Sequence, residues 1–193
     1  MLLGRRARAL VVIAAAVAFG CAEPPDKEMQ QAQGAIDAAR AAGADEYAHD
    51  EFAAAQDALK RAQDAVNERD YRLALNHALD SRERAQNAAK ESANHKATAR
   101  SDAERALADA NAALADARGK LKALEAARVP AAKLAGARTA IETGDSGVQK
   151  ARAAFGRGEY LAAIDLAKGA TAGLRGTARD LEAAAPATAH RRR

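Results

Sequence analysis

The chain has 193 residues, of which 49% are apolar but only 3% aromatic, with no tryptophan and a single cysteine. One thiol excludes an internal disulfide, and the formal charge of +4 is inflated by the first 20 residues, beyond which 27 Lys+Arg stand against 26 Asp+Glu. That balance lacks the one-sided basic field of a nucleic-acid-binding protein, so no nucleic-acid partner is expected. Most of the apolar share is alanine, the strongest helix former. The composition therefore predicts long helices with thin, close contacts.

Residues 1–20 are predicted to be an export signal. Three arginines precede an apolar run of about a dozen residues, Ala9 to Phe19, which is too short to span a bilayer. The run ends at Ala18-Phe19-Gly20-Cys21, a sequence that resembles the lipobox of bacterial lipoproteins. In that family the signal is removed before the cysteine, which receives a diacylglycerol and a further fatty acid such as palmitate. The resemblance implies that Cys21 is lipidated and that residues 21–27 form a lipidated tether.

Two cleavage outcomes are compatible with this N-terminus. Ala16-Val17-Ala18 also fits the pattern of ordinary signal cleavage, which would release a soluble periplasmic protein. Ala22 follows the cysteine, and the absence of aspartate there resembles lipoproteins that are sorted to the outer membrane. The expected location is the bacterial cell envelope, as an outer-membrane lipoprotein facing the periplasm or, alternatively, as a soluble periplasmic protein.

The body begins with a helical module over residues 28–92. Its first helix is predicted from about Asp26 to Ala42, with Gly43 as its end, and residues 44–49 are predicted to be a loop. A second helix is predicted from Asp50 to Glu68. Apolar residues three and four apart mark the faces expected to be buried. They are Met29, Ala32, Ile36 and Ala39 on the first helix, and Phe52, Leu59, Ala62 and Val66 on the second.

A third helix opens at Tyr71 and is predicted to reach Arg128, just before a proline. Between Leu79 and Leu107 alanine is the only apolar residue type, so residues 81–102 are interpreted as a helical connector. A kink or break there is the alternative. A seam of alternating four- and three-residue spacing then predicts coiled-coil-like packing. The seam consists of Ala103, Leu107, Ala110, Leu114, Ala117, Leu121 and Leu124.

A second helical module is predicted over residues 103–184. A fourth helix begins at Pro130, and a fifth runs from Glu159 to about Ala184. Their apolar positions are Leu134, Ala137, Ile141, Val148, Phe155, Leu161, Ile164, Leu174 and Leu181. Glycines are expected to loosen the fourth helix (Gly144, Gly147) and either to fray the fifth or to admit a close neighbour (Gly169, Gly173, Gly176). Residues 185–193 are predicted to be a disordered basic tail.

One stretch of the chain occurs twice, 89 residues apart. Ala62-x-x-Ala65-Val66 and Asp70-Tyr71-x-x-Ala74-Leu75-x-x-Ala78 return as Ala151-x-x-Ala154-Phe155 and Glu159-Tyr160-x-x-Ala163-Ile164-x-x-Ala167. Each copy predicts an antiparallel helical hairpin, because the helical spacing runs into a turn and resumes beyond it. The acid before each tyrosine is suited to capping the second helix. Tyr71 and Tyr160 are expected to pack in the hairpin mouths, with partner binding by this pair as the alternative.

A family resemblance is carried by the first hairpin and the helix before it. The run Ala38-Ala39-x-x-x-Gly43-Ala44-x-x-Tyr47-Ala48, then Leu59, Ala62 and Asp70-Tyr71-x-x-Ala74, is similar to the bacterial domain of unknown function 4398 family. The similarity covers about residues 28–95, with a weaker echo over 128–182. These are alanine-rich envelope proteins, often lipoproteins, without an assigned chemistry. The resemblance therefore implies a location and a shape and no catalytic residue.

Three short patterns were considered as active or metal sites and rejected. Gly144-Asp145-Ser146-Gly147 has the letters of the nucleophile loop of trypsin-like proteases, but the chain offers no β-barrel for the remaining residues. Gly156-Arg157-Gly158 lacks the strand and third glycine of a dinucleotide site and is predicted to be a turn. His77 and His95 would lie roughly 27 Å apart along a helix, too far to share a metal. No catalytic residue, cofactor or metal is predicted, and the protein is expected not to be an enzyme.

These patterns together predict an all-α fold of antiparallel helical hairpins, arranged as two three-helix, coiled-coil-like modules joined by a long shared helix in an elongated molecule. The expected function is a non-enzymatic structural or scaffolding role in the cell envelope, with a lipid anchor at Cys21. The alternative is an adaptor or binding module that recognises a protein or peptide partner through the hairpins. The expected partners are a membrane, through the anchor, and an envelope protein. The sequence predicts no particular oligomeric state.

Overall fold

The computed structural model describes residues 23–185, and all regular secondary structure in that range is helical. The helices are α1 (Asp26–Ala41), α2 (Ala44–Tyr47), α3 (His49–Asn67), α4 (Tyr71–Ala126), α5 (Ala131–Gly156) and α6 (Tyr160–Ala183). The predicted all-α class is therefore confirmed. The predicted signal over residues 1–20, the lipidation site Cys21 and all but the first residue of the predicted tail lie outside the described residues.

The chain divides into two compact units, Met1–Ala93 and Asn94–Arg193, and α4 contributes residues to both. In the first unit, hydrogen bonds join α3 to α4. As the residue number rises along α3, that of the bonded residue on α4 falls, so the two helices are antiparallel. The bonded partners are Glu51 with Arg84 and Ala55 with Ser81. Bonds between the α1 segment and α4 join partners that advance together, so these two helices are parallel. They are Gln31 with Arg82 and Ala42 with Ser92.

A buried cluster of the first unit consists mainly of alanine around the ring of Phe52. Its buried members are Ile36, Ala39, Ala44, Ala48, Phe52, Ala55, Ala85 and Ala88. Ser81 and Ser92 are fully buried beside them, and each hydroxyl donates a 2.8 Å hydrogen bond to a backbone carbonyl of a facing segment. Ser81 and Ser92 both belong to residues 81–102, the stretch interpreted as a connector. This stretch therefore packs against the other helical segments of the first unit. Its lack of large apolar residues permits close helix packing, because only small side chains fit between backbones at short range.

Helix α3 buries Phe52 and Ala62 as the sequence predicted, but alanines take the place of its other two predicted core positions. Its buried positions are Phe52, Ala55, Ala58, Ala62 and Ala65. Leu59 and Val66 are only partly buried, so the prediction was wrong for these two residues. The centre of a close helix contact accepts alanine, whereas larger side chains lie on its flanks.

The predicted loop over residues 44–49 was also wrong. Gly43 has a φ of +86°, which ends α1, and the next residue already begins the single helical turn of α2. Tyr47 is only 7% exposed, and its ring lies so close to Gly43 that an added Cβ would be 3.4 Å from Tyr47 Cδ2. Gly43 is thus needed for its positive φ, which glycine adopts without strain.

In the second unit, α5 runs antiparallel to both of its neighbours. Its contacts with α4 join Arg118 with Asp145, Glu125 with Arg138 and Asn111 with Arg152. Its contacts with α6 place Gly144 against Leu174 and Gly147 against Ala170. The contacts between α4 and α6 advance together, from the cluster of Ala103 with Ile164 to the ion pair of Lys120 with Glu182, so these two helices are parallel.

The glycines of α5 bring two helices together, and the prediction that they loosen α5 was wrong. A Cβ built on Gly144 would lie 2.5 Å from Leu174 Cδ2, and one on Gly147 would lie 3.1 Å from Ala170 Cβ. The glycines of α6, by contrast, have open space at the Cβ position. Leu174 is fully buried as predicted. Leu161, predicted to be a core position, is 41% exposed, and Phe155 is only partly buried.

Three connections between long helices close with the same hydrogen bonds. Each has a residue of positive φ, at +62° for Arg69, +58° for Arg128 and +82° for Gly158. The next N–H donates to the carbonyl five residues earlier, as in a Schellman motif. These bonds join Asp70 to Ala65 (2.9 Å), Val129 to Leu124 (3.1 Å) and Glu159 to Ala154 (3.0 Å). Arg69 and Gly158 therefore occupy equivalent positions in the two copies of the repeated stretch.

This equivalence gives a paired prediction. Gly158→Ala should lower the free energy of unfolding by about 1 kcal/mol, because a side chain at positive φ is strained. Arg69→Gly should raise it by less than that amount, since glycine relieves the strain but also increases the entropy of the unfolded chain. Thermal unfolding of the full chain, followed by circular dichroism, measures both changes. Gly156→Ala, two residues away with open space at Cβ, is the control and should not destabilise.

Candidate functional site

The two repeated tyrosines occupy equivalent positions, as the first residues of α4 and α6, and both are partly buried. Tyr160 packs against Phe155 with ring centroids 5.4 Å apart and planes tilted by 57°. Both rings cover a buried cluster of Ala103, Ala154, Ala163 and Ile164. The first copy has Val66 where the second has Phe155, so Tyr71 has no matching ring pair. Tyr160 therefore serves the packing of the hairpin mouth, as the sequence predicted.

The acid before each tyrosine has a different role in the two copies. Asp70 Oδ1 accepts a 3.0 Å hydrogen bond from the N–H of Leu73, so it caps α4 as predicted. Glu159 makes no such cap and instead pairs with Arg157 through two hydrogen bonds of 2.9 and 2.7 Å. The hydrogen bond from Arg157 lowers the pKa of Glu159 and raises the pKa of Arg157. The capping prediction was wrong for Glu159, because a guanidinium two residues away competes for its carboxylate.

The sequence that resembles a protease nucleophile loop lies within a regular helix. Gly144, Asp145, Ser146 and Gly147 lie inside α5, where Asp145 forms a 2.9 Å ion pair with Arg118. A serine nucleophile needs a partner base within hydrogen-bonding reach and an oxyanion hole beside it. Ser146 lies on an exposed turn of α5, and none of the described residues that line the surface around it is a histidine. The pattern is thus explained by helix packing, in which Gly144 is covered by Leu174.

The two histidines of α4, His77 and His95, lie too far apart to share a metal ion. Their spacing along one helix corresponds to roughly 27 Å. In residues 23–185 no cluster of three or more His, Cys, Asp or Glu side chains is arranged to hold a metal ion. Likewise, no helix in this range has the length and apolarity that crossing a membrane requires.

Among the grooves between helices of residues 23–185 are three that each lie within a single unit. The one between α1 and α3, of about 370 Å³, has glutamine side chains, Arg40 and Lys60 on its walls. The one between α4 and α6, of about 560 Å³, is polar and mixes the charges of Asp109, Lys168 and Arg175 with others. The third, between α5 and α6, is the largest at about 1190 Å³. Neither tyrosine of the predicted pair lines any of the three.

The third groove, hereafter the α5/α6 groove, is the most apolar. Small residues of both helices line it, among them Gly147, Gly169 and Gly173, and Leu166 stands beside them at 38% exposure. Sequence reasoning missed this surface because it interpreted each glycine within its own helix. The signal that could have revealed it is the pairing of glycines on α5 with small residues at matching levels of α6.

A comparison with protein-family models finds a match in the first half of the chain. The model of a domain of unknown function (DUF4398) matches residues 27–104. No curated protein and no solved structure matches the chain. The matched residues comprise α1, α2, α3 and the first part of α4. They include the turn at Gly43 and Tyr47 and the first copy of the repeated stretch.

Proposed function

We propose that the protein is a non-enzymatic, lipid-anchored helical protein with a structural or scaffolding role in the bacterial cell envelope, on the basis of the match of residues 27–104 to the DUF4398 model. The family resemblance supports the envelope location, and the lipobox-like sequence before Cys21 supports the anchor. We further propose that the three helical segments of each unit pack in the manner of a coiled coil, since small and apolar residues alternate at four- and three-residue spacing.

The main support for a structural role is that the buried hydroxyl groups form hydrogen bonds with the backbone. The buried serine and threonine side chains of the described residues are Ser81, Ser92, Thr171 and Thr177. Each hydroxyl donates a hydrogen bond to a backbone carbonyl, of Ala55, Ala42, Ala167 and Gly173 respectively. The hydroxyls of Ser81 and Ser92 bond to facing segments and so serve helix packing, whereas those of Thr171 and Thr177 bond to the preceding turn of their own helix. Catalysis, by contrast, needs polar groups that face a substrate.

The ionisable groups support the same role. A shifted pKa marks an active site when burial and a nearby charge act together in a cleft. Here the raised pKa values of Arg84 and Lys120 arise first from hydrogen bonds with Asp80 and Asp116, in ion pairs on helix surfaces. Such pairs contribute little to stability singly and fix the positions of neighbouring turns or helices. Arg84 also reaches Glu51 and thereby links α3 with α4.

A second candidate function is an adaptor that recognises a protein or peptide partner through the helical hairpins. The partial exposure of Tyr71 and Tyr160 favours it, because aromatic side chains are common anchors at protein interfaces. Tyr71 suits this role better than Tyr160, whose ring is already packed on Phe155. The open grooves between helices are further surfaces on which such a partner could bind.

The anchor is tested by a change at the cysteine. Cys21→Ala, expressed with the full chain in a Gram-negative bacterium, should abolish incorporation of a clickable palmitate analogue, because the acceptor thiol is absent. In-gel fluorescence of the purified protein measures the labelling. Cell fractionation should find the Cys21→Ala variant in the soluble periplasmic fraction and the wild-type protein in the membrane fraction. Ala18→Leu, which brings the sequence closer to the usual lipobox, is the control and should keep the label.

Intact-mass measurement of the wild-type protein separates the two cleavage outcomes. A mature chain that begins at Cys21 and carries the mass of its acyl groups supports the lipid anchor. A mature chain that begins at Phe19 without added mass would contradict it, because cleavage after Ala18 releases a soluble protein. Unchanged labelling of the Cys21→Ala variant would contradict it as well.

A further inference from the structure

The α5/α6 groove presents a shape that suits another helix. Cβ atoms built on Gly169 and Gly173 would have no atom within 4 Å, so the helix surface is indented at these positions. Leu166, one turn before Gly169 on α6, is 38% exposed beside them. A projecting leucine next to glycine positions offers a knob and a hole on one face, which is the arrangement that packs helices side by side.

The charged residues that line this groove have no ion pair within the described chain. They are Glu142, Lys150 and Asp165. The ion pairs of the second unit use other side chains: Arg100 with Glu104, Arg105 with Asp102, Arg118 with Asp145, Lys120 with Asp116 and Glu182, Arg138 with Glu125, and Arg157 with Glu159. Charges that lack an intramolecular partner at the edge of an apolar surface are suited to pairing with a second molecule.

The order of these charges along α5 is complementary to itself. Glu142 and Lys150 lie four residues before and four residues after Ser146. When two copies of α5 pack antiparallel with Ser146 at the centre, Glu142 of each copy faces Lys150 of the other. A two-fold axis through this point therefore forms the same ion pair twice, as an isologous contact requires.

The same symmetry brings α6 of one copy against α6 of the other. Gly144 faces Leu174 and Gly147 faces Ala170. The part of α6 that lies beside Ser146 of α5 is therefore between residues 170 and 174. Leu166, on one side of this part of α6, then opposes the stretch from Gly173 to Thr177 in the second copy. That stretch contains two glycines with open space at Cβ, which leaves room for the leucine.

We propose that the α5/α6 groove is a homodimer interface, occupied by the same groove of a second copy of this chain. The two copies pack antiparallel about Ser146, with Glu142 and Lys150 paired across the interface and Leu166 inserted beside the glycines of its counterpart. The proposal goes beyond the envelope role and does not depend on Cys21. In this dimer, the open apolar face of the second unit is covered by a second copy of the same chain.

A charge exchange tests the interface. Glu142→Lys and Lys150→Glu should each weaken dimerisation by roughly tenfold or more, because either change places like charges opposite each other. The double variant, Glu142→Lys with Lys150→Glu, should restore dimerisation to about the wild-type level, since opposite charges again face each other. Sedimentation velocity over a concentration series measures the dissociation constant of the full chain carrying Cys21→Ala in a mild detergent. Lys133→Glu, on α5 outside the groove, is the control and should change nothing.

Crosslinking tests the position of the two-fold axis. In the same Cys21→Ala background, Ser146→Cys should form a disulfide-linked dimer under mild oxidation, because the residue on the axis meets its own copy. Lys133→Cys should stay monomeric on a non-reducing gel. Lys133, Glu142, Ser146 and Lys150 are exposed in the monomer, so circular dichroism of each variant should match that of the parent chain.

Three results would overturn the proposal. The first is a Cys21→Ala chain with Glu142 and Lys150 intact that sediments as a monomer at every concentration, because no homodimer would then form through the groove. The second is dimerisation that neither single charge reversal weakens, because the dimer would then use another surface. The third is a double variant that dimerises no better than the single variants, since the two charges would then not face each other.

Discussion

Leu174→Ala is expected to lower the free energy of unfolding by about 2–5 kcal/mol, the range found for fully buried leucines. Leu174 is 0% exposed and lies in the core of the second unit. Its side chain fills the space above Gly144, so its removal leaves a cavity that a glycine has no side chain to fill. Urea unfolding of the full chain, followed by circular dichroism, measures the change in the transition of this unit.

Gly144→Ala should also destabilise the protein, although alanine is normally the better helix residue by about 1 kcal/mol. The new Cβ would lie 2.5 Å from Leu174 Cδ2 and 2.6 Å from Leu174 Cγ, so the leucine must shift, at a typical cost of about 1–3 kcal/mol. The double variant, Gly144→Ala with Leu174→Ala, should lose less stability than the sum of the single losses. The added methyl then occupies part of the cavity and no longer meets the leucine.

Gly136→Ala is the matched control for this cycle. Gly136 lies on the same helix, and a Cβ there would have no atom within 4 Å. It should raise the free energy of unfolding by roughly 0.5–1 kcal/mol through helix propensity alone. If Gly144→Ala stabilised the protein as Gly136→Ala does, or if the losses in the double variant were additive, the close approach of α5 and α6 at Gly144 would be contradicted.

Phe52→Ala should destabilise the first unit by about 3–5 kcal/mol. Phe52 is 5% exposed and is the one aromatic ring among the buried members of its cluster, which otherwise holds alanines and an isoleucine. The guanidinium of Arg40 also lies over the ring, 5.5 Å from its centroid. The other buried members of the cluster are alanines and one isoleucine, all smaller than the ring, so the cavity should stay largely open. The urea-unfolding midpoint of the full chain measures the effect.

Leu79→Ala, on α4 in the same unit, is the control because Leu79 is 38% exposed. It should change stability by less than about 0.5 kcal/mol. Val66→Ala and Phe155→Ala should each cost less than Phe52→Ala, since both side chains are only partly buried. A Phe52→Ala variant as stable as the Leu79→Ala variant would contradict the assignment of Phe52 as the centre of the alanine core.

Much of the fold could be predicted because helix ends depend on local backbone chemistry. Gly43 ends α1, Pro130 directly precedes α5, and Asp70 caps α4 through its own side chain. The repeated stretch also predicted equivalent turns, and the turns before Tyr71 and Tyr160 make the same backbone hydrogen bonds. Each of these features involves residues within a few positions of one another, so the sequence contains the information.

The candidate surfaces were predictable only in part. Tyr71 and Tyr160 were recognised from the repeat, and the structure places both at helix starts. The α5/α6 groove was missed, because its walls come from two helices whose relative level no local pattern specifies. The different roles of Asp70 and Glu159 were missed as well, since the competing Arg157 decides where the carboxylate of Glu159 binds.

The sequence by itself determined the helical class, most helix ends and the repeated turns, because propensity, caps and positive-φ positions act over short distances. The buried face of α1 was predicted, with Ala32, Ile36 and Ala39, whereas only the tertiary structure decided which small and polar residues lie at the centres of the helix contacts. Ala55 and Ala58 are buried where Leu59 was expected, Ser81 and Ser92 lie in the core, and Gly144 receives Leu174. The physical reason is the closeness of the helices, since at short interhelical distance size rather than hydrophobicity selects the side chains at the centre of the contact.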